Sequence, residues 1–201
     1  MHPEPCFERD TFCVRRPRLP DARAVLDFQR RNLEHFASTS PRRAPSFLTE
    51  AFWTERIALA ERDFEQDRGC GLYVFDAGER AVGSVSLMNI VRGALQGCDL
   101  GYAIDAAHQG TGLMFWAVTQ ALRYAFEVLN LHRVQANHLP DNQRSARLLA
   151  RLGFQREGYA PKFLLIDGAW RDHVCNALVN DRWQPKPGEE FVLSDARPQP
   201  A

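Results

Sequence analysis

The chain has 201 residues, enough for one domain with a sizeable core, and its content of 45% hydrophobic and 25% charged residues excludes intrinsic disorder. Its 25 basic and 25 acidic residues cancel, which removes the surplus of cations on which nonspecific DNA or RNA binding leans. No run approaches the ~18 apolar residues of a membrane span, and residues 1–10 lack the apolar segment of a secretory signal.

A cytoplasmic protein that engages neither DNA nor a membrane is therefore expected. Cys6, Cys13, Cys70, Cys98 and Cys175 are odd in number and form no C-x-x-C pair, which suits reduced thiols better than a disulfide framework. The six histidines and the cysteines never cluster at ligand spacing, so no metal site is implied.

Residues 1–10 read as an N-terminal extension and residues 11–183 as a single domain. Phe12–Val14 is a short first strand, and Asp21 is placed to cap a helix running to about Asn32 with Ala24, Val25 and Phe28 on one face. A loop with Arg42 and Arg43 leads into a second helix over Leu48–Phe64. Gly71–Phe75 and Ala81–Asn89 are strands joined by the turn Asp76–Glu79, and Asp99–Ile104 is a third. Apolar residues at helical spacing predict a long helix over Gly112–Leu129. A strand over His132–His138, a helix over Asn142–Leu152, and strands over Phe163–Ile166 and His173–Leu178 complete the domain. Residues 184–201, with Pro185, Pro187, Pro198 and Pro200, read as a loose, proline-rich tail. The order predicts a mixed α/β (α+β) domain around one mostly antiparallel central sheet flanked by helices.

The segment Gln109-Gly110-Thr111-Gly112-Leu113-Met114 lies between a strand and the long helix. Glycines let successive backbone N–H groups converge, and the helix start adds a partial positive charge. Together they can hold a diphosphate without lysine or arginine. A strand-to-helix turn whose glycines only relieve strain would read the same. No Gly-Lys-Ser/Thr follows, so this is not a P-loop, and the third glycine of a dinucleotide fingerprint is absent.

Downstream come Leu131-His132-Arg133-Val134, Asn137-His138-Leu139-Pro140-Asp141-Asn142, Ser145 and Arg151-Leu152-Gly153-Phe154. The series resembles the GNAT acetyltransferases, whose acetyl-CoA loop reads Q/R-x-x-G-x-G/A; Gln109 and Gly112 match it and Met114 departs from it. Within that superfamily the stretch from Gly101-Tyr102 to Gly158-Tyr159 resembles the RimJ/RimL group of ribosomal-protein-alanine N-acetyltransferases. The RimJ branch matches most fully, through Val91-Arg92-Gly93, Gly112-Leu113-Met114-Phe115, Leu148–Phe154, Leu164–Gly168 and Trp170–Val174.

The resemblance implies a GNAT fold whose two middle strands splay apart around the pantetheine arm of acetyl-CoA. Tyr102, Ala103 and Ile104 would offer it backbone groups, Gln109 and the loop Gly110, Thr111, Gly112, Leu113, Met114 and Phe115 would hold the pyrophosphate, and Asn137 and Asn142 would complete the cofactor site. Asn142 is equally suited to cap the helix it precedes. Ser145 matches a serine proposed in this group to protonate the leaving thiolate; a first-turn serine bonding the backbone is its ordinary alternative. Asp99, before Gly101-Tyr102, is the candidate base, against a solvated strand-end aspartate. The tyrosine used as acid in many GNAT enzymes falls at Leu149, and the glutamate used by RimL-like enzymes falls near Leu164. Asp172 and His173 match a family pair near the last strand, and Trp116 replaces a glutamate usual after the loop.

The acceptor implied is the N-terminal alanine of a small-subunit ribosomal protein, with a small amine or a non-catalytic CoA-binding, ribosome-associated module as alternatives. An α-amino group is roughly 2.5 pKa units less basic than a lysine, which saves about 3.5 kcal/mol of deprotonation at neutral pH. A weak carboxylate base would then suffice. The sequence is compatible with a monomer or a homodimer.

Overall fold

The computed structural model describes residues 2–186. Eight strands form one sheet: β1 (Cys6–Arg9), β2 (Phe12–Arg15), β3 (Cys70–Phe75), β4 (Ala81–Val91), β5 (Gly97–Ile104), β6 (Arg133–His138), β7 (Gln155–Ile166) and β8 (Ala169–Val179). Their spatial order is β1-β2-β3-β4-β5-β6-β8-β7. Every neighbouring pair is antiparallel except β5 with β6. That one parallel contact is reached through a long helical crossover, as parallel pairing requires.

Strand alternation sends side chains to two helical layers. Leu72, Val74, Val85, Leu87, Cys98 and Leu100 meet Ala117, Val118, Ala121 and Leu122 of helix α4 (Leu113–Arg123) and Leu149 of α5 (Gln143–Arg151). Tyr73, Phe75 and Ala103 face the other way, toward α1 (Ala22–Arg31) and α3 (Glu50–Glu65). There Val25, Leu26 and Phe28 are essentially inaccessible to water, and burial of each such side chain stabilises by about 1.5–3 kcal/mol. Trp53 fills the α1–α3 seam and donates its indole N–H to Phe47 O at 2.9 Å, so its polar atom is satisfied.

The differences from the sequence reading fall at edges and caps. Cys6–Arg9, within the expected extension, is a strand paired to β2, and Tyr124 donates its hydroxyl to Pro3 O at 2.8 Å. Asp21 does not cap α1 with its side chain; its carboxylate instead accepts from Arg15 at 2.6 and 3.1 Å and from Arg18 N at 2.6 Å. Helix α3 begins at Glu50 rather than Leu48, because Pro45–Leu48 form a 3-10 turn and Thr49 Oγ1 accepts from Phe52 N at 3.3 Å. A short helix α2 (Leu33–Ala37) follows α1. The crossover helix ends in a π turn over Tyr124–Val128, closed by Leu129 N–H to Tyr124 O at 3.0 Å. β7 starts eight residues before the expected Phe163, at Gln155, and is interrupted near Pro161 by a register shift between Ala160 and Leu164. Of the expected tail, residues 187–201 lie outside the described residues. Its first residue is tied down, since Gln184 O accepts from Asn130 Nδ2 at 3.1 Å.

Asn32, 1% exposed, joins the two ends of the site-bearing side: Nδ2 donates to Phe28 O at 2.9 Å and Oδ1 accepts from Ala106 N at 3.0 Å. Asn32→Ala should lower stability by about 1–3 kcal/mol, the cost of stranding buried backbone groups. In a urea titration this appears as a lower midpoint with an unchanged slope.

Candidate functional site

The parallel β5–β6 ladder is short. Only Gly97↔Arg133, Cys98↔Val134 and Asp99↔Gln135 pair. β5 nevertheless stays bonded to β4 as far as Gly83↔Ile104, and β6 to β8 as far as His138↔Val174. Beyond Asp99 and Gln135 the two strands therefore diverge, each held by its outer neighbour. The gap edge of β5 is formed by Leu100–Ile104, about 16 Å of strand at 3.3 Å per residue, and it includes the expected Tyr102, Ala103 and Ile104. Asn137 stands on the diverging end of β6.

The loop after β5 is planted firmly before it turns. Asp105 N–H donates to Val82 O at 2.8 Å. Its carboxylate accepts from Arg31 Nε and NH2 at 3.1 and 2.8 Å and from Ala107 N at 3.2 Å. Burial works against the charge of Asp105, but the hydrogen bonds from Arg31 and Ala107 outweigh it and hold the carboxyl below its ordinary range.

Past this anchor, Gly110 and Gly112 adopt φ of +75° and +80°, where an L side chain costs about 1–2 kcal/mol. A Cβ at either glycine would meet nothing within 4 Å. The glycines serve conformation and leave open approach to the backbone; crowding does not require them. Thr111 Oγ1 donates to His108 O at 2.8 Å and accepts from Leu113 N at 3.3 Å, which locks the turn. Trp116 N–H to Gly112 O at 3.1 Å is the first rung of α4. The N–H groups of Leu113, Met114 and Phe115 precede that rung and lie at the positive end of the helix.

Gln109 is committed elsewhere. Its Oε1 accepts from Arg144 NH1 at 2.6 Å and its Nε2 lies 2.6 Å from His35 Nε2, so the loop is linked to α5 and α2. Neither Arg144 nor His35 was singled out from sequence, because their partners are distant in the chain.

On the helix side of the gap, Tyr102 Oη and Ser145 Oγ lie 2.6 Å apart. Burial pushes the Tyr102 phenol up, partly offset by its bond to Ser145, so both hydroxyls carry protons at neutral pH. Sequence reasoning used Tyr102 only for its backbone; alternation along β5, which turns Leu100 and Tyr102 toward the same helical layer, was the available signal. Asn142 Oδ1 accepts from Ser145 N at 3.1 Å and thus caps α5, and Asn142 Nδ2 has no partner among the described residues.

Asp99 is the last β5 residue paired to β6 and sits on the opposite sheet face from Leu100 and Tyr102. It accepts from Asn89 Nδ2 at 2.9 Å. Asp172 is engaged within its own hairpin: the carboxylate accepts from Tyr159 Oη at 2.6 Å and Lys162 N at 2.8 Å, closing the irregularity in β7. His173 is buried against Phe163, with Nδ1 3.1 Å from Arg171 O. Trp116 packs on the α4 core. Burial pushes the Cys98 thiol up to about 12, consistent with a small buried hydrophobe.

A family model described as an acetyltransferase (GNAT) domain matches residues 11–155. The chain is 40% identical to the [ribosomal protein uS5]-alanine N-acetyltransferase of Escherichia coli strain K12 over 177 residues, 88% of this chain and 91% of that one. The crystal structure of ribosomal-protein-S5-alanine acetyltransferase from Vibrio fischeri superimposes with a TM-score of 0.87 at 35% identity, covering 90% of this chain and 99% of that chain. Mycobacterium smegmatis RimJ in complex with CoA-disulfide gives a TM-score of 0.78 at 26% identity, with 84% of this chain and 81% of that chain covered.

The Asp105 anchor gives the site an acid-sensitive support. A carboxyl whose folded pKa is depressed contributes stability above its unfolded value, and that stability is lost as pH falls through the folded value. The parent should therefore lose stability as pH falls below about 4 more steeply than Asp105→Asn, as read from thermal melts at successively lower pH.

Proposed function

The chain belongs to the GNAT acetyltransferase family, and from that premise we propose that it acetylates the N-terminal alanine of a small-subunit ribosomal protein, uS5. The acceptor rests on one observation, the 40% identity across nine-tenths of an E. coli enzyme named for that reaction. As an N-acetyltransferase the chain uses acetyl-CoA as acyl donor.

The residues fit that donor. Two left-handed glycines with open space where a Cβ would stand let a diphosphate lie against bare backbone. The gap edge of Tyr102, Ala103 and Ile104 suits the amide groups of a pantetheine arm, with Asn142 Nδ2 and Asn137 on its other side. When bound, acetyl-CoA supplies a thioester carbonyl open to direct attack by a neutral amine.

The fork at Asp99 organises the proton traffic. Asp99, from the face opposite Tyr102, takes the proton of the attacking amine, directly or through water. The amine nitrogen bonds to the carbonyl carbon and the carbon–sulfur bond breaks. Ser145 gives its proton to the departing thiolate and recovers one through Tyr102, so that an amide and a free thiol result. Tyr102 is reprotonated from water while Asp99 releases its proton to water, and both groups are reset. An α-amino acceptor asks little of the base, which suits a lone aspartate.

A polyamine acceptor is less well served. Asp99, Asp105 and Asp172 would have to share a cleft, yet Asp105 is spent on Arg31 and Asp172 on Tyr159 and Lys162. The proton-carrying Tyr102–Ser145 pair argues equally against a module that only binds CoA.

The acceptor is tested by following free thiol with acetyl-CoA and either an Ala-starting peptide of uS5 sequence or spermidine. Turnover confined to the peptide is expected; turnover confined to spermidine would overturn the reading. Ser145→Ala should lower kcat by roughly 10²-fold, and Tyr102→Phe should add little to it, because groups in one relay are not additive. An unchanged rate in Ser145→Ala removes the serine from the mechanism. Gly112→Glu, which places a carboxylate at the positive helix end, should weaken CoA binding by roughly tenfold or more in calorimetry.

A further inference from the structure

The outer face of α5 carries Arg144, Arg147 and Arg151, spaced three and four residues apart and therefore on one stripe. All three are exposed, whereas Ser145 and Leu149 occupy the inner face. None of the three forms an ion pair among the described residues, although the chain is neutral overall and many of its other arginines meet carboxylates. The helix holds no acid, and Asp141, which precedes it in sequence, lies 3.6 Å from Arg171. Arg144 is also misplaced for helix stability, since a cation in the first turn opposes the helix dipole.

The stripe is physically joined to the loop. Arg144 reaches Gln109 at 2.6 Å, and the Arg151 guanidinium lies 4.5 Å from the centroid of Phe115. Arg147, between them, has no partner of any kind among the described residues. The chemistry that matches is a phosphate monoester adjoining the diphosphate: it is close to dianionic at neutral pH and accepts the forked donors of arginine. Coenzyme A has one such group, on its ribose.

We infer that the Arg144–Arg147–Arg151 stripe is the subsite for the ribose 3′-phosphate of coenzyme A, so that this chain distinguishes CoA from its dephospho form. The inference rests on the assignment of residues 109–115 to the diphosphate, and it is independent of which amine is acetylated. Arg147 is the discriminating residue, because Arg144 and Arg151 also hold the loop.

Calorimetric titration of the full chain with CoA and with dephospho-CoA tests it without turnover. The parent should bind CoA about tenfold or more tightly than dephospho-CoA, with the ratio narrowing as salt is raised from low to ~0.5 M. Arg147→Gln and Arg147→Glu should weaken CoA toward the dephospho value while leaving dephospho-CoA within about twofold of the parent, the smaller ligand serving as a check on folding; Arg147→Lys should restore part of the ratio. Equal affinities in the parent, an unchanged ratio in Arg147→Glu, or an equal loss of both ligands would each overturn the subsite. A parent that binds neither compound would remove the loop assignment, and the subsite with it.

Discussion

The site exists because the parallel β5–β6 ladder stops after three residue pairs. Unpaired backbone groups at a strand edge normally cost a protein about 1–3 kcal/mol each when buried, so a ladder is not abandoned without a substitute. Here the divergence is tolerated because each strand is held on its other side for its full length, β5 by β4 and β6 by β8. Sheet integrity is thus separated from the gap itself. The free edges become acceptors and donors of fixed geometry, available to an extended ligand that completes them as a strand would.

A gap of that kind offers strand edges but does not orient what pairs with them. Orientation comes from the loop beyond Ile104, and its placement is settled before the glycines begin. Asp105 is bonded to β4 through its backbone and to α1 through Arg31, and Asn32 holds the next amide. These contacts tie α1 and the start of the glycine loop together. Gly110 and Gly112 then turn a short, well-anchored segment rather than a floppy one, which is why two left-handed residues aim the first turn of α4 reproducibly. The Gln109 link to Arg144 and His35 closes the same loop against α5 and α2.

How much of this was legible follows the physics of burial. Central elements carry strong patterns: β3 to β6 and the helices α1, α3, α4 and α5 were read within a few residues, because their apolar faces meet a core. β1 and the first half of β7 were not, because they lie at the two edges of the sheet and expose most of their side chains; an edge strand with Pro161 beside its irregularity has no alternating signature to offer. Local motifs were equally uneven. The glycine loop was visible as a loop, and Asn142 as a cap. The Tyr102–Ser145 pair, separated by 43 positions, was not, nor was the capture of Asp21 by Arg15 in place of a helix cap.

The placement of Asp99 and Tyr102 on opposite faces of one strand has a chemical consequence. Acyl transfer requires a proton to leave the nucleophile and another to reach the sulfur, and in the proposed mechanism two separate groups do this. Residues three apart on a strand differ in face by the pleat alone. The strand that supplies the gap edge therefore also separates the proposed base, Asp99, from the proposed donors, the Tyr102–Ser145 hydroxyls. Burial reinforces the division: it raises the Tyr102 phenol and keeps it a donor, while Asp99 is only partly buried. In the proposed mechanism one strand, diverging at one residue, would set both the place of the thioester and the direction in which protons flow across it.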